Sequence, residues 1–326
     1  MGDSPRSRYC PRLLRGVQGP ATVAIEQGTA MTDKHILLVA QVVHERVQNQ
    51  GWVVADCRFD LTDPAAGRRS YRQNHIPGAV FLDLDEDLAG PVAPDTGRHP
   101  LPDVESIAAT LGALGIGNSS NVVVYDQDNG ATAARAWWIL RWLGHESVFL
   151  LDGGLSRWQE LGLPLESTEV NRIPTHFDVC LQADRILSTT ELEHNVGEIH
   201  RQKLLDARDR RRFRGEWEPI DPVAGHVPGS ICLPFTDFLR EDGTWLPLNE
   251  RRALLEKVLG PDKDVEWSVM CGSGVTACHL AISGLEAGYK EPRLYVGSWS
   301  EWIRGPNRPI GAGAGAQTGQ QTADLK

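Results

Sequence analysis

Cys271 is the residue of this chain best placed for covalent chemistry. It opens the stretch Cys271-Gly272-Ser273-Gly274-Val275-Thr276-Ala277, which follows the apolar run Trp267-Ser268-Val269-Met270 and precedes a helical pattern. The cysteine therefore stands at a strand-to-helix turn. Gly272 and Gly274 let the backbone curl so that successive N–H groups point at one spot. The helix expected from about Val275 adds the positive end of its dipole. Both effects favour thiolate over thiol, and a cysteine so placed can have its pKa lowered from about 8.5 into the range of roughly 3.5–7.5. A thiolate is the nucleophile that covalent catalysis needs, and the same donors would stabilise a persulfide anion. Ser273 and Thr276 lie in this loop, where their hydroxyls can bond a substrate carbonyl or cap the loop itself.

The elements that must hold this loop occur twice. Val53-Val54-Ala55-Asp56-Cys57-Arg58 is answered by Leu204-Leu205-Asp206-Ala207-Arg208, and His75-Ile76-Pro77-Gly78 by His226-Val227-Pro228-Gly229. Val122-Val123-Val124-Tyr125-Asp126 is answered by Trp267-Ser268-Val269-Met270-Cys271. Asp152-Gly153-Gly154 with Trp158 is answered by Val296-Gly297-Ser298 with Trp302. Landmarks matched in the same order mark two copies of one fold. Strands are predicted at 52–56, 121–125, 147–151, 203–206, 266–270 and 293–296, and helices at 103–114, 131–143, 250–259 and 275–287. Such alternation predicts an α/β fold in which each copy is a parallel sheet flanked by helices, with ligands beyond the carboxyl ends of the strands. The match to Cys271 in the first copy is Asp126, followed by Gln127-Asp128-Asn129-Gly130-Ala131, so only the second copy carries the thiol. Asp56/Arg58 and Asp206/Arg208 recur in both copies and read as framework ion pairs. Trp299 and Trp302 could wall the pocket, with core packing the expected role of Trp302.

The 326 residues fit two domains. The expected division is an N-terminal extension without a fold over 1–30, a first domain over 31–167 and a connector over 168–182. A second domain over 183–310 and a disordered Gly/Ala/Gln-rich tail over 311–326 follow. A formal net charge of −10 argues against a nucleic-acid partner, and no apolar run reaches the roughly 18–20 residues of a membrane span. The Arg-rich start lacks the apolar core of a secretory signal. Cys10, Cys57, Cys180, Cys232, Cys271 and Cys278 show no CxxC or Cys/His ligand spacing. They read as reduced thiols of a cytoplasmic protein, with no metal site.

With these residues in view, the chain resembles the tandem rhodanese family over roughly residues 31–310. Cys271-Gly-Ser-Gly-Val-Thr276 is similar to the active-site loop of its mercaptopyruvate sulfurtransferases. The resemblance implies two tandem rhodanese-like domains, the first inactive. It also implies that Cys271 takes sulfur from a small anionic donor as a persulfide and hands it to cyanide or to a thiol such as thioredoxin, without a cofactor. Gly272, Gly274 and Val275 would then line the donor pocket beside Ser273 and Thr276. Arg212, in Arg210-Arg211-Arg212-Phe213-Arg214-Gly215, corresponds to the family arginine that holds the donor's anionic group, a task suited to the paired donors of a guanidinium. His75 corresponds to a histidine implicated in proton transfer, although its recurrence as His226 favours a structural role. Mercaptopyruvate members carry a second arginine just after a Glu-Pro pair. Here that stretch reads Glu218-Pro219-Ile220-Asp221-Pro222, and the second anchor is absent from it.

Three other activities compete. Thiosulfate-preferring members place Arg or Lys within the loop, whereas residues 272–276 here are uncharged, which favours 3-mercaptopyruvate. A phosphatase of the related Cys-x5-Arg type needs an arginine where Ala277 stands. The intact loop speaks against a purely binding, non-catalytic module, and a carrier that relays sulfur to a partner is compatible with it.

Overall fold

The valine-rich segments of the first copy have no polar alternation, the pattern of strands buried on both faces. In the computed structural model, which describes residues 35–196 and 203–314, they form the centre of a five-stranded sheet. Its strands are β1 (Leu37–Leu38), β2 (Val53–Asp56), β3 (Ala79–Phe81), β4 (Val122–Tyr125) and β5 (Val148–Leu151). They run parallel in the order β1-β5-β4-β2-β3. The helices are α1 (Ala40–Gln50), α2 (Ala66–Gln73), α3 (Val104–Ala113), α4 (Ala133–Trp142) and α5 (Gly154–Glu160). Asp103 starts α3 by accepting the Ser106 N–H on its side chain.

The second copy repeats this plan with β6 (Leu204–Asp206), β7 (Ile231–Cys232), β8 (Ser268–Met270) and β9 (Arg293–Leu294), parallel in the order β7-β6-β8-β9. Its helices are α6 (Thr189–Asn195), α7 (Arg210–Arg214), α8 (Leu248–Leu259), α9 (Ala277–Glu286) and α10 (Ser298–Trp302). The predicted α/β architecture of two parallel sheets with helices is what the molecule has. The strand expected over 293–296 is shorter, although the Tyr295 N–H still reaches the Val269 carbonyl.

Register places the candidate site. β2 and β4 end their ladder at Asp56 opposite Tyr125, and β6 and β8 end theirs at Asp206 opposite Met270. Asp126 and Cys271 are therefore the residues that leave the sheet at equivalent points, at the carboxyl ends of central strands. One buried core runs through both copies, joining Trp137, Trp138 and Leu140 of α4 to Cys278, Leu280 and Ile282 of α9, and α4 packs on α9. The connector over 168–182 has no helix or strand and runs along the first domain. It is tied there by Thr175 N–H to Gly112, Cys180 N–H to Leu143 and Gln182 N–H to Trp142. The expected N-terminal extension lies outside the described residues, as does most of the expected tail. Gly311, by contrast, exchanges both backbone hydrogen bonds with His226, and the Gly313 N–H donates to the Arg214 carbonyl, so the described start of the expected tail is held on the second domain. No helix among the described residues is long and apolar enough to cross a membrane.

Candidate active site

The two equivalent loops show what the turn is built to hold. In the first domain the Asp126 carboxylate is ringed by its own loop. Oδ1 accepts from the N–H groups of Asp128 (3.2 Å) and Gly130 (2.9 Å), and Oδ2 from those of Thr132 (2.9 Å) and Ala133 (3.1 Å). Burial pushes the Asp126 pKa up while these amides pull it back. In the second domain Cys271 takes that position, 2% exposed. The backbone N–H groups of Gly272 to Thr276 find no acceptor among the described residues. Buried amides without partners are rare, and here they belong to a loop whose twin closes around an anion. Gly274 is obligatory: its φ is +76°, and a Cβ there would lie 2.4 Å from the Val296 carbonyl oxygen. Thr276 immediately precedes α9, and its side chain makes no cap.

Two contacts fix Cys271 from behind. Its N–H donates to Ser298 Oγ (3.1 Å) and its carbonyl accepts from the Trp299 N–H (3.0 Å). Ser298 has φ +53°, the one left-handed non-glycine among the described residues. Its counterpart Gly154 has the same φ. A serine held in that conformation stores strain, and its hydroxyl, which also donates to the Tyr295 carbonyl (2.8 Å), gives the reason. Of the other cysteines, Cys232 and Cys278 are pushed up to about 12, chiefly by burial. Burial and then Asp56 raise Cys57 well above the ordinary range.

Ser273 is brought against a histidine from the first domain, but that histidine is His99. Ser273 Oγ lies 2.7 Å from His99 Nδ1, and His99 Nε2 lies 3.2 Å from Asp85 Oδ1. Burial, followed by the charges of Arg135 and Arg98, lowers the His99 pKa to about 3, so the ring is neutral at ordinary pH. The carboxylate at Nε2 fixes the ring proton there, and Nδ1 accepts from the Ser273 hydroxyl. The order serine–histidine–aspartate is that of acyl-transfer sites with the two ring nitrogens exchanged, since there the serine meets Nε2 and the aspartate Nδ1, and the serine is two residues from Cys271. His75 is not part of it. Its ring is fully buried, stacks on Tyr71 at 4.1 Å, meets the Tyr71 carbonyl at Nδ1 and faces Glu166 at Nε2. These contacts hold His75 within the first domain in a structural role, away from both proton transfer and donor binding at the loop. His226 repeats the arrangement against Phe213.

Three guanidinium groups surround the loop. Arg212 of α7 is clamped by Glu218 (Nε to Oε1, 2.9 Å; Nε to Oε2, 3.0 Å) and donates to Asp221 (3.1 Å). Its terminal nitrogens lie 3.5 and 3.8 Å from where a Cβ on Gly272 would stand. The neighbouring arginines turn elsewhere, Arg210 to Asp237, Arg211 over Trp217 and Arg214 to Glu216. Arg98 reaches the loop from the first domain. Arg135 of α4, fully buried, donates to the carbonyls of Gly274 (3.1 Å) and His99 (3.1 Å), and it makes no ion pair among the described residues. Below them, Arg208 bridges Asp206 at 2.7 Å and lies over Trp299, whose indole is fully buried. Trp302 is likewise fully buried and donates to the Pro309 carbonyl. Asp56 and Arg58 form the matching pair in the first domain, also at 2.7 Å.

Asp85, Arg98, His99, Arg135 and Ser298 were not legible as site residues. The available signal was the asymmetry between copies, since Gly97-Arg98-His99 stands where the second copy has Gly243-Thr244-Trp245. The exchange is reciprocal. Gly97 and Arg98 pack on Gly297 and Ser300, while Gly243 packs on Asp128 and the Trp245 indole on Gly130.

Comparison with known proteins agrees with this geometry. The model of the rhodanese-like domain matches twice, over residues 39–161 and 188–304. A Pseudomonas aeruginosa protein named "Probable 3-mercaptopyruvate sulfurtransferase" is 48% identical over 279 residues, covering 85% of this chain and 98% of its own. A rat thiosulfate sulfurtransferase is 32% identical over 292 residues, covering 82% and 95%. The solved 3-mercaptopyruvate sulfurtransferase from Leishmania major superposes with a TM-score of 0.73 at 28% identity, over 83% of this chain and 75% of that one. With the fold, the twice-matched domain and these relatives in agreement, the chain belongs to the rhodanese-like family and is a sulfurtransferase of its tandem-domain branch.

Proposed function

We propose that this sulfurtransferase takes sulfur from 3-mercaptopyruvate onto Cys271 as a persulfide and passes it to a thiol such as thioredoxin, or to cyanide. The observation that carries the choice of donor is the hydrogen-bonded line Ser273–His99–Asp85 beside the cysteine. When sulfur leaves 3-mercaptopyruvate, the departing carbon must gain a proton. When it leaves thiosulfate, sulfite departs without one. A neutral histidine holding a serine hydroxyl suits the first reaction and is idle in the second.

In the first half-reaction the Cys271 thiolate attacks the donor's sulfur and the S–C bond breaks, its electron pair passing into the enolate of pyruvate. The proton lost from the donor's thiol passes to the enolate carbon through the Ser273 hydroxyl, which the neutral His99 ring orients at Nδ1. Pyruvate leaves and a Cys271 persulfide anion remains, held by the amides of Gly272 to Thr276. Arg212 holds the donor's carboxylate, with Gly272, Gly274 and Val275 shaping the pocket. In the second half-reaction an acceptor thiol or cyanide attacks the outer sulfur and Cys271 returns as thiolate. Ping-pong kinetics follow. The free thiols Cys57, Cys232, Cys271 and Cys278 suit a reducing compartment such as the cytoplasm. The partners on this reading are small molecules and a thiol acceptor, not nucleic acid or membrane.

Steady-state kinetics with both donors test the proposal. A larger kcat/KM for 3-mercaptopyruvate is expected, and a larger value for thiosulfate would overturn the choice. Slow turnover with every small thiol, beside rapid transfer to one protein, would favour a dedicated relay.

A further inference from the structure

We propose that Arg98, contributed by the first domain, is the second guanidinium of the donor site, and that Asp221 holds it there. The inference rests on Cys271 being the sulfur carrier. It supplies the anion anchor that the Glu218-Pro219-Ile220-Asp221 stretch lacks.

Four observations converge. Asp221 bridges the two domains: one carboxylate oxygen accepts from Arg98 Nη1 and the other from Arg212 Nη2 at 3.1 Å. Arg98 Nη2 lies 2.8 Å from the point where a Cβ on Gly272 would stand, nearer than either terminal nitrogen of Arg212. Any side chain at position 272 would have to displace the end of that guanidinium. Arg98 Nε is buried and has no acceptor among the described residues, so the guanidinium keeps a donor to spare. Finally, the Arg98 backbone is fixed to the second domain, its N–H donating to Ser300 Oγ at 3.0 Å. The adjoining residue is His99. One segment of the first domain thus delivers an anion anchor and the histidine that orients Ser273 to the same loop.

The charge balance narrows the ligand. Arg98, Arg208 and Arg212 are offset by Asp206, Glu218 and Asp221. Arg135, which has no carboxylate partner among the described residues, is fully buried and spends its donors on the Gly274 and His99 carbonyls, so the guanidinium groups facing the loop offer directed hydrogen-bond donors with no excess of positive charge. Such a site suits a monoanionic carboxylate, which gains from paired guanidinium donors. It penalises a dianion, because Arg98 and Arg212, the cations that face the loop, are already paired with carboxylates.

The test separates donor capture from sulfur release. Arg98→Ala is expected to raise KM for 3-mercaptopyruvate about 10- to 100-fold, the loss of one charge-assisted hydrogen-bonding group, with kcat changed far less. Release of sulfur from the preloaded persulfide to cyanide in a single turnover should be unaffected. Arg98→Lys should recover part of the KM. Asp221→Asn should raise the ratio of thiosulfate to 3-mercaptopyruvate kcat/KM about tenfold. An unchanged KM in Arg98→Ala, or equal damage to sulfur release, overturns the role of Arg98. An unchanged donor ratio in Asp221→Asn overturns the charge argument. Failure of the wild-type protein to form a Cys271 persulfide would instead sink the underlying reading, and that control is run first.

Discussion

Ser298 and His99 are side chains whose local cost is explained only by what they do for the loop. Ser298 stands at φ +53° where its twin is a glycine, a conformation that costs an L-residue about 1–2 kcal/mol. Ser298→Ala should keep that strain and lose both hydrogen bonds, costing about 1–3 kcal/mol. Ser298→Gly should be the more stable of the two variants while still lowering activity, because the Cys271 N–H loses its acceptor in either. Chemical denaturation of both checks the order, and alanine proving more stable than glycine would contradict it. His99 is held neutral by burial and two arginines. Its folded pKa of about 3 lies below the ordinary value of about 6.5. The unfolded chain therefore binds a proton first as pH falls, and His99 lowers stability progressively from about pH 6.5 down to about 3. Imidazole NMR shifts of His99 should stay those of a neutral ring at pH 5, and a midpoint near 6.5 would refute the assignment. His99→Gln should lower turnover of 3-mercaptopyruvate about 100-fold, the scale of general acid–base catalysis, and turnover of thiosulfate much less.

Elements matter here through the loops they launch. β4 and β8 end in equivalent turns, one closed on Asp126 and one opened around Cys271. Asp126→Ala should leave the amides of Asp128, Gly130, Thr132 and Ala133 without their acceptor. It is expected to cost about 2–4 kcal/mol of stability with kcat unchanged. A thermal melt beside an activity assay distinguishes this from any catalytic role for the first loop. Helix α4 acts across the domain boundary through Arg135, which ties the Gly274 carbonyl to the His99 carbonyl. Arg135→Lys keeps the charge but cannot span both carbonyls. It should cost about 3 kcal/mol and reduce kcat about 10- to 100-fold, since small displacements of reacting groups are expensive. Wild-type turnover in that variant would show that the loop needs no such tie.

At the scale of the molecule, each domain lends a segment to the other's turn, and the two loans differ. The second domain lends Trp245, which stacks on His279 at 3.5 Å and lies against the Asp126 loop. The first lends Arg98 and His99 to Cys271. This explains how much the sequence disclosed. The repeat, the central strands and the Cys271 loop follow from local patterning, because valine runs, glycine spacing and helical period are short-range properties. Arg98 meeting Asp221, and His99 meeting Ser273, join distant parts of the chain through the packing of α4 on α9, and no local pattern records them. The structural role of His75 was legible in its recurrence as His226, because a motif repeated in both copies serves the shared framework, whereas function lies where the copies differ. The central claim, that Cys271 carries the sulfur, is tested most directly by mass spectrometry of the Cys271 peptide after treatment with 3-mercaptopyruvate. The account predicts a gain of one sulfur atom on that peptide, reversed by cyanide and absent from Cys271→Ser. No gain, or a gain on Cys57, Cys232 or Cys278 instead, would contradict it.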